Sequence, residues 1–344
     1  MAKEDSDSLK IFLQRTGGLL VHLLNKCNLY CEHCYLDSDS QKNVSLPIDL
    51  INNMVQEAEC LGIKLVQFSG GEPFLYPHIE DVLKLSTGKK FKLIVSTNST
   101  LIDGFRANLL AKAKAHVVTS IDGPENYHNA FRGKKNAFED VLKGINQLIK
   151  FDIPIKVVMT VSKENVQHID WCVKWAYEMG VKNIQFQPLE SVGRGNKISF
   201  KQLEEEDLLD LFIQLKDLSA QYDSKGLKVT MTYKSRDFML EHPCTAFVCN
   251  GKKCHRGVEK ELKKIVIRED GLILPELVDI DKRFAIGDLF KNTLEKNLIN
   301  YLNGEGYARF DKLCREVYND TVPNNPSPLI SWNEILTKRS YDFF

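Results

Sequence analysis

Leu19-Leu20-Val21-His22-Leu23-Leu24 runs directly into Asn25-Lys26-Cys27-Asn28-Leu29-Tyr30-Cys31-Glu32-His33-Cys34-Tyr35, an apolar stretch followed by three thiols within eight residues. The first part has the length and composition of a buried strand, and the polar segment after it reads as a loop leaving that strand. Five more strand-like runs follow with helical stretches between them: Lys64 to Phe68, Lys92 to Val95, His116 to Ser120, Ile155 to Val161 and Asn183 to Gln187. Strands alternating with helices imply right-handed crossovers and a parallel sheet. The expected fold is therefore α/β, a partial (β/α)6 TIM-like barrel, with its functional residues at the C-terminal ends of the strands. Each run does end in loop chemistry: the thiols after the first, Ser69-Gly70-Gly71-Glu72-Pro73 after the second and Ser96-Thr97-Asn98 after the third. Ser120-Ile121-Asp122-Gly123-Pro124, Ser162 and Gln187-Pro188-Leu189-Glu190 close the other three. Gly, Ser, Asn, Asp and Pro also end strands for local reasons alone, so convergence on one rim is an expectation about the set.

Further along, Leu208, Leu211, Phe212, Leu215 and Leu218 recur at helical spacing behind the acidic start Glu204 to Asp207, with Gly226 as a stop signal. The expected organisation is an N-terminal extension (1–18), a barrel (19–200), an amphipathic helical connection (201–240) and a cysteine-bearing C-terminal region (241–344).

The chain has 344 residues, with 46 Lys plus Arg balancing 46 Asp plus Glu. A zero net charge offers no basic field for a nucleic-acid backbone. With 43% hydrophobic and 27% charged residues, the composition is that of an ordinary globular protein. The acidic start Glu4, Asp5 and Asp7 has no apolar stretch after it, which argues against a signal peptide, and no run approaches a membrane span. A cytoplasmic location without membrane or nucleic-acid partners is expected. Structural disulfides are rare in that compartment, so the nine cysteines require another explanation. Cys60 and Cys172 lie in amphipathic helical stretches and read as ordinary buried thiols. The C-x3-C-x2-C loop suits either half of a zinc site or three corners of a [4Fe-4S] cluster with one iron left open.

Taken with Gly70-Gly71-Glu72-Pro73 and the βα alternation, the cysteine loop and the adjacent aromatic Tyr35 resemble the radical S-adenosylmethionine (SAM) enzymes. That resemblance covers residues 19 to 195 best. It implies that Cys27, Cys31 and Cys34 hold a [4Fe-4S] cluster whose open iron chelates SAM. One electron then cleaves the sulfonium, and a 5′-deoxyadenosyl radical abstracts hydrogen from a substrate. It further implies that Gly70, Gly71 and Glu72 meet the SAM amino group, and that Ser96, Asn98, Ser120 and Asp122 reach its ribose or methionyl part. Arg132 would take the SAM carboxylate, and Tyr35 and Gln187 would line the adenine pocket. On bland readings Arg132 is a solvated cation in a basic stretch and Asp122 a turn former.

The spans 120–133 and 187–195 resemble the peptide-modifying branch with a SPASM or twitch C-terminal extension, which carries auxiliary iron–sulfur clusters. The usual pattern would run from Cys254 through Gly271 to a thiol five residues on, where this chain has Glu276. Cys244, Cys249, Cys254 and Cys314 remain as candidate ligands of one auxiliary [4Fe-4S] cluster. A zinc site with His242 or His255, or plain reduced thiols, are the competing readings.

The leading expectation is a radical SAM peptide maturase acting on a ribosomally made precursor peptide, supplied with electrons by a reductase, flavodoxin or ferredoxin. The segment 1–18 is too short for a leader-binding module, so recognition would use the C-terminal region, the barrel rim or a separate leader-binding protein. The alternatives are a radical SAM enzyme acting on a small molecule or cofactor precursor, and a zinc-binding adaptor without radical chemistry.

Overall fold

The computed structural model describes residues 8–13, 16–248, 264–276 and 279–343. All six expected runs are strands: β1 (Leu19–His22), β2 (Leu65–Ser69), β3 (Lys92–Ser96), β4 (His116–Ser120), β5 (Ile155–Val161) and β6 (Asn183–Pro188). They pair in parallel in sequence order, as crossover helices require. Alternate residues explain the two faces. Phe68, Val95, Val117, Val157 and Ile184 are buried on the helix side, whereas Gln67, Ser96, Lys156 and Gln185 point the other way and stay half-buried. Helix α1 (Ile48–Cys60) buries Ile51, Met54, Val55 and Ala58 against the sheet, the spacing of one helical face.

The sheet curls. Strands β1 and β6 are separated by four others, so on a flat sheet they would lie about 24 Å apart. Yet Arg194, after β6, donates from Nε to the Cys31 carbonyl at 2.9 Å, and Lys201 reaches Glu32 at 2.8 Å. Only a barrel-like closure brings these strand ends together.

The sheet is larger than the sequence suggested. Region 201–240 holds the amphipathic helix α2 (Glu205–Asp223), with Leu211, Leu215 and Leu218 buried, but also strand β7 (Lys228–Met231), which pairs in parallel with β6 as a seventh barrel strand. On the far side β9 (Ile265–Ile267) pairs in parallel with β1, β10 (Leu272–Pro275) antiparallel with β9, and β11 (Gly287–Asp288) antiparallel with β10. The C-terminal region is thus built onto the first barrel strand. A short β8 (Lys234–Ser235) pairs with β12 (Leu329–Ile330). No helix among the described residues is long and apolar enough to cross a membrane.

Candidate iron–sulfur and SAM site

The cysteine loop is fastened at its base by the glycine motif. Gly71 and Glu72 donate their backbone N–H groups to the Leu24 and Lys26 carbonyls at 2.8 and 2.9 Å. A Cβ on Gly71 would lie 2.1 Å from the Lys26 oxygen, so only glycine permits this approach. Glu72 is fully buried, and its carboxylate accepts from Thr97 Oγ1 at 2.7 Å, from the Asn98 N–H at 2.8 Å and from the Phe74 N–H at 3.1 Å. Burial pushes its pKa above the ordinary carboxylate value despite those bonds. The Glu72 carboxylate thus ties the end of β2 to the loop after β3.

Each thiol of the loop faces at least one N–H. Asn98 Nδ2 approaches Cys27 Sγ at 3.9 Å, Arg132 Nη1 approaches Cys31 Sγ at 3.8 Å, and the Ser38 backbone N–H approaches Cys34 Sγ at 3.4 Å. Such donors stabilise sulfur when it is anionic and tune iron–sulfur centres. Desolvation pushes the Cys27 thiol up to about 12 and raises Cys31 as well. Among the described residues, no three His, Cys, Asp or Glu side chains converge on a single ion. Three thiols on one loop, each with an N–H donor, are a donor set that suits an iron–sulfur cluster.

Arg132 is buried rather than solvated. Its Nε donates to Asp122 Oδ2 at 2.6 Å while Nη1 faces Cys31. Asp122, fully buried, also accepts from the Thr160 N–H at 3.1 Å, and His128 Nδ1 lies 3.6 Å from its carboxylate. Burial alone would raise the Asp122 pKa, but Arg132, with His33 and His128, outweighs it and holds the carboxyl below its usual value. The alternative reading of Arg132 as a solvated cation is corrected accordingly, and Asp122 and Arg132, expected at the ribose or methionyl part and at the carboxylate of SAM, lie together beside the thiol loop. The two form a buried ion pair, because the helix Glu125–Phe131 turns Arg132 back over the loop, where its partner is at hand.

Arg194 was missed as a site residue, although Gly193-Arg194-Gly195 stood out in the sequence. Its guanidinium bonds Cys31 O, Asp37 Oδ1 and Ser38 O at 2.9, 2.9 and 2.7 Å, and it lies 4.1 Å from the centre of the Tyr30 ring. Gly193, at φ +59°, brings its backbone so close that a Cβ would sit 2.5 Å from the Cys34 oxygen. The useful signal was an arginine between two glycines at a strand end, a planar fork with room to approach backbone. Arg194→Lys keeps the charge but loses the fork. Iron retention in a chelator titration of the reconstituted protein is expected to fall roughly tenfold or more; unchanged retention would show that the clamp is dispensable.

The other expected site residues divide. Ser96 accepts from Gln67 Nε2 at 2.7 Å, and Asn98 also donates to Asn28 Oδ1 at 2.8 Å. Ser120, the last residue of β4, and Gln187, the last but one of β6, lie on the inner face, half-buried. Tyr35 leaves 42% of its surface accessible, but its hydroxyl end is buried beside Ser69, and that burial pushes its pKa up to about 12. Of the auxiliary set, Cys249 and Cys254 lie outside the described residues. Cys244 is disulfide-bonded and Cys314 is fully buried in the apolar core of helix Glu305–Thr321. The four-thiol set is therefore not assembled among the described residues. Glu276, where the pattern expects a thiol, accepts the Lys264 N–H at 2.9 Å and closes the β9–β10 hairpin. Cys172 is buried as expected, but Cys60, ending α1, is exposed.

Comparison with known proteins follows the same outline. Residues 21–176 match the radical SAM superfamily. Fe-coproporphyrin III synthase of Methanosarcina barkeri is 28% identical over 56% of this chain and 50% of its own length. The antilisterial bacteriocin subtilosin biosynthesis protein AlbA of Bacillus subtilis is 28% identical over 51% of this chain and 40% of its own. The matches span about half the length of these curated relatives or less. The crystal structure of Streptococcus suis SuiB bound to precursor peptide SuiA superposes with a TM-score of 0.68 at 19% identity, over 86% of this chain and 66% of that one. The parallel sheet, the thiol loop at its mouth and the sequence match agree: residues 21–176 carry a radical SAM domain.

Proposed function

We propose that the protein is a radical SAM enzyme whose substrate is a residue of a ribosomally made peptide. The observation that carries the radical reading is the loop itself, three thiols each provided with an N–H donor from the surrounding fold. Cys27, Cys31 and Cys34 hold a [4Fe-4S] cluster that leaves one iron for SAM. When bound, the pair supplies one-electron cleavage of the sulfonium and a 5′-deoxyadenosyl radical that takes hydrogen from substrate.

The chain's own residues prepare that event. Arg132 sets a positive charge beside Cys31 and offsets the charge of the thiolates. Glu72 holds Asn98 over Cys27. Arg194 locks the loop and covers it from the β6 side. Backbone of Gly70 and Gly71, with Ser120, Tyr35 and Gln187 on the inner rim, is left to bind SAM.

Peptide as substrate is supported by the likeness to SuiB, which extends through most of the chain, and by AlbA, named for bacteriocin biosynthesis. The comparable match to Fe-coproporphyrin III synthase favours a second reading, a porphyrin or other cofactor precursor. Anaerobic reconstitution with iron and sulfide, then SAM and dithionite, is expected to yield 5′-deoxyadenosine by mass spectrometry. No product from a protein with a full cluster, with or without candidate substrates, would overturn the radical reading. Mass change in a peptide encoded beside the gene supports the maturase; change only in an added porphyrin overturns it.

A further inference from the structure

Two lysines stand on the inner face of the sheet, below the thiol loop and outside the contacts that fasten it. Lys156 is the second residue of β5, four residues before Thr160, so its Cα lies about 13 Å down the strand from the mouth. Its Nζ donates at 2.5 Å to Oε1 of Gln185, which stands level with Val158, two positions nearer the mouth. Lys264, the residue before β9, lies two positions below the level of Gln67 and donates to Gln67 Oε1 at 2.9 Å. Both side chains therefore lean up into the barrel rather than out through its floor. All four residues are half-buried, so their polar ends remain accessible on the concave face.

Positive charge gathers here. Burial first, then Lys264 and Lys228, lower the Lys156 pKa to about 8, which leaves the ammonium the main form at neutral pH. Lys228 opens β7 and shares a register row with Lys156 through Asn183. Among the described residues no carboxylate lies within ion-pair distance of Lys156. The hydrogen bonds narrow the choice of ligand further. An ammonium only donates, so Gln185 turns its carbonyl to Lys156 and leaves Nε2, a second donor, without a partner among the described residues. Gln67 has both ends of its amide committed, Oε1 to Lys264 and Nε2 to Ser96. The open groups at Lys156 and Gln185 are thus donors beside further positive charge. A ligand that only accepts and carries negative charge meets both conditions, and a carboxylate does so in one planar group. SAM is a poor occupant, because its sulfonium is cationic and its carboxylate belongs at the open iron.

We infer that Lys156 and Gln185 form a subsite for a carboxylate of the substrate on the inner face of the barrel, strengthened by the charges of Lys264 and Lys228. This deepens the proposed function and rests on it for the presence of substrate in the barrel. The carboxylate comes from an acidic residue of a peptide or from a cofactor precursor. In a peptide it lies a few residues from the one that loses hydrogen, since the mouth is about 13 Å away and an extended chain rises about 3.3 Å per residue.

The probes are N-acetylglutamate N-methylamide and its uncharged glutamine counterpart, followed by saturation-transfer NMR on the reconstituted holoenzyme with SAM. Wild type is expected to prefer the glutamate probe by roughly tenfold, Lys156→Met to lose that preference and Lys156→Arg to keep it. Lys156→Gln is expected to lose it as well, so a folding defect in the Met variant does not decide the outcome. Mesoporphyrin IX against its dimethyl ester forms the second arm. Lys156-dependent binding of the glutamate probe assigns the subsite to a peptide; Lys156-dependent binding of the porphyrin acid alone assigns it to a cofactor precursor. No preference for either acid over its uncharged control, or a preference that survives in both Lys156→Met and Lys156→Gln, would overturn the subsite. Iron content and 5′-deoxyadenosine formation by wild type, measured separately, report on the radical function without bearing on the choice between acid and control.

Discussion

Cys31→Ala is expected to reduce iron in the anaerobically reconstituted protein from roughly four per chain to near background and to abolish 5′-deoxyadenosine formation. Cys31 is buried at the centre of the loop, flanked by Arg132 on its sulfur and Arg194 on its carbonyl. Two remaining thiols cannot define three corners of a cubane. The exposed thiol of Cys60 provides the control, since Cys60→Ala removes a cysteine without touching the loop. Visible absorption, iron assay and product mass spectrometry on the two variants decide the matter. Full iron in Cys31→Ala would remove the basis for assigning the loop to a cluster.

Asp122→Ala should be the most damaging change outside the thiols. It strands the Arg132 guanidinium in a buried setting, where Asp122 is its carboxylate partner at 2.6 Å. Breaking a buried pair in this way costs about 3–5 kcal/mol, which at this size lowers the melting temperature by roughly 10 °C. Because Arg132 also faces Cys31, cluster retention should fall with stability. The pair also sets a pH dependence. The folded-state pKa of Asp122 is held below its unfolded value, so its contribution is fully present above about pH 4 and is lost as pH falls through the lower folded-state value. Wild type should therefore show a steeper loss of melting temperature on acidification below about pH 4 than Asp122→Ala does. Parallel profiles for the two proteins would mean that the ion pair does not contribute as described.

Much of the barrel was legible because its signals are local. The runs at His116–Ser120 and Ile155–Val161 coincide with β4 and β5 to the residue, since β-branched residues bounded by turn formers leave little latitude. The acidic start and apolar spacing of residues 204–218 likewise foretold α2. Strand β7 escaped notice because Lys228 to Met231 is short and opens with a lysine, and its strand character comes from pairing with β6. The β9–β10 hairpin escaped for a related reason. Its short runs gain their meaning from the free edge of β1, more than 240 residues earlier in the chain.

The sequence by itself determined the chemistry at the centre. Three cysteines at fixed spacing and a glycine motif after the next strand are statements about residue type and distance along the chain, and they survive without coordinates. Tertiary structure alone decided what surrounds them. Arg132 pairs with Asp122, Glu72 turns inward, and Arg194 reaches back from β6 to the first loop. Arg194 and the first loop become neighbours only when the sheet curls, Glu72 meets the loop after β3 because β2 and β3 pair, and Arg132 meets Asp122 because the helix between them turns it back. Burial then converts that proximity into specific charge and hydrogen-bond partners, because a polar group removed from water must find one.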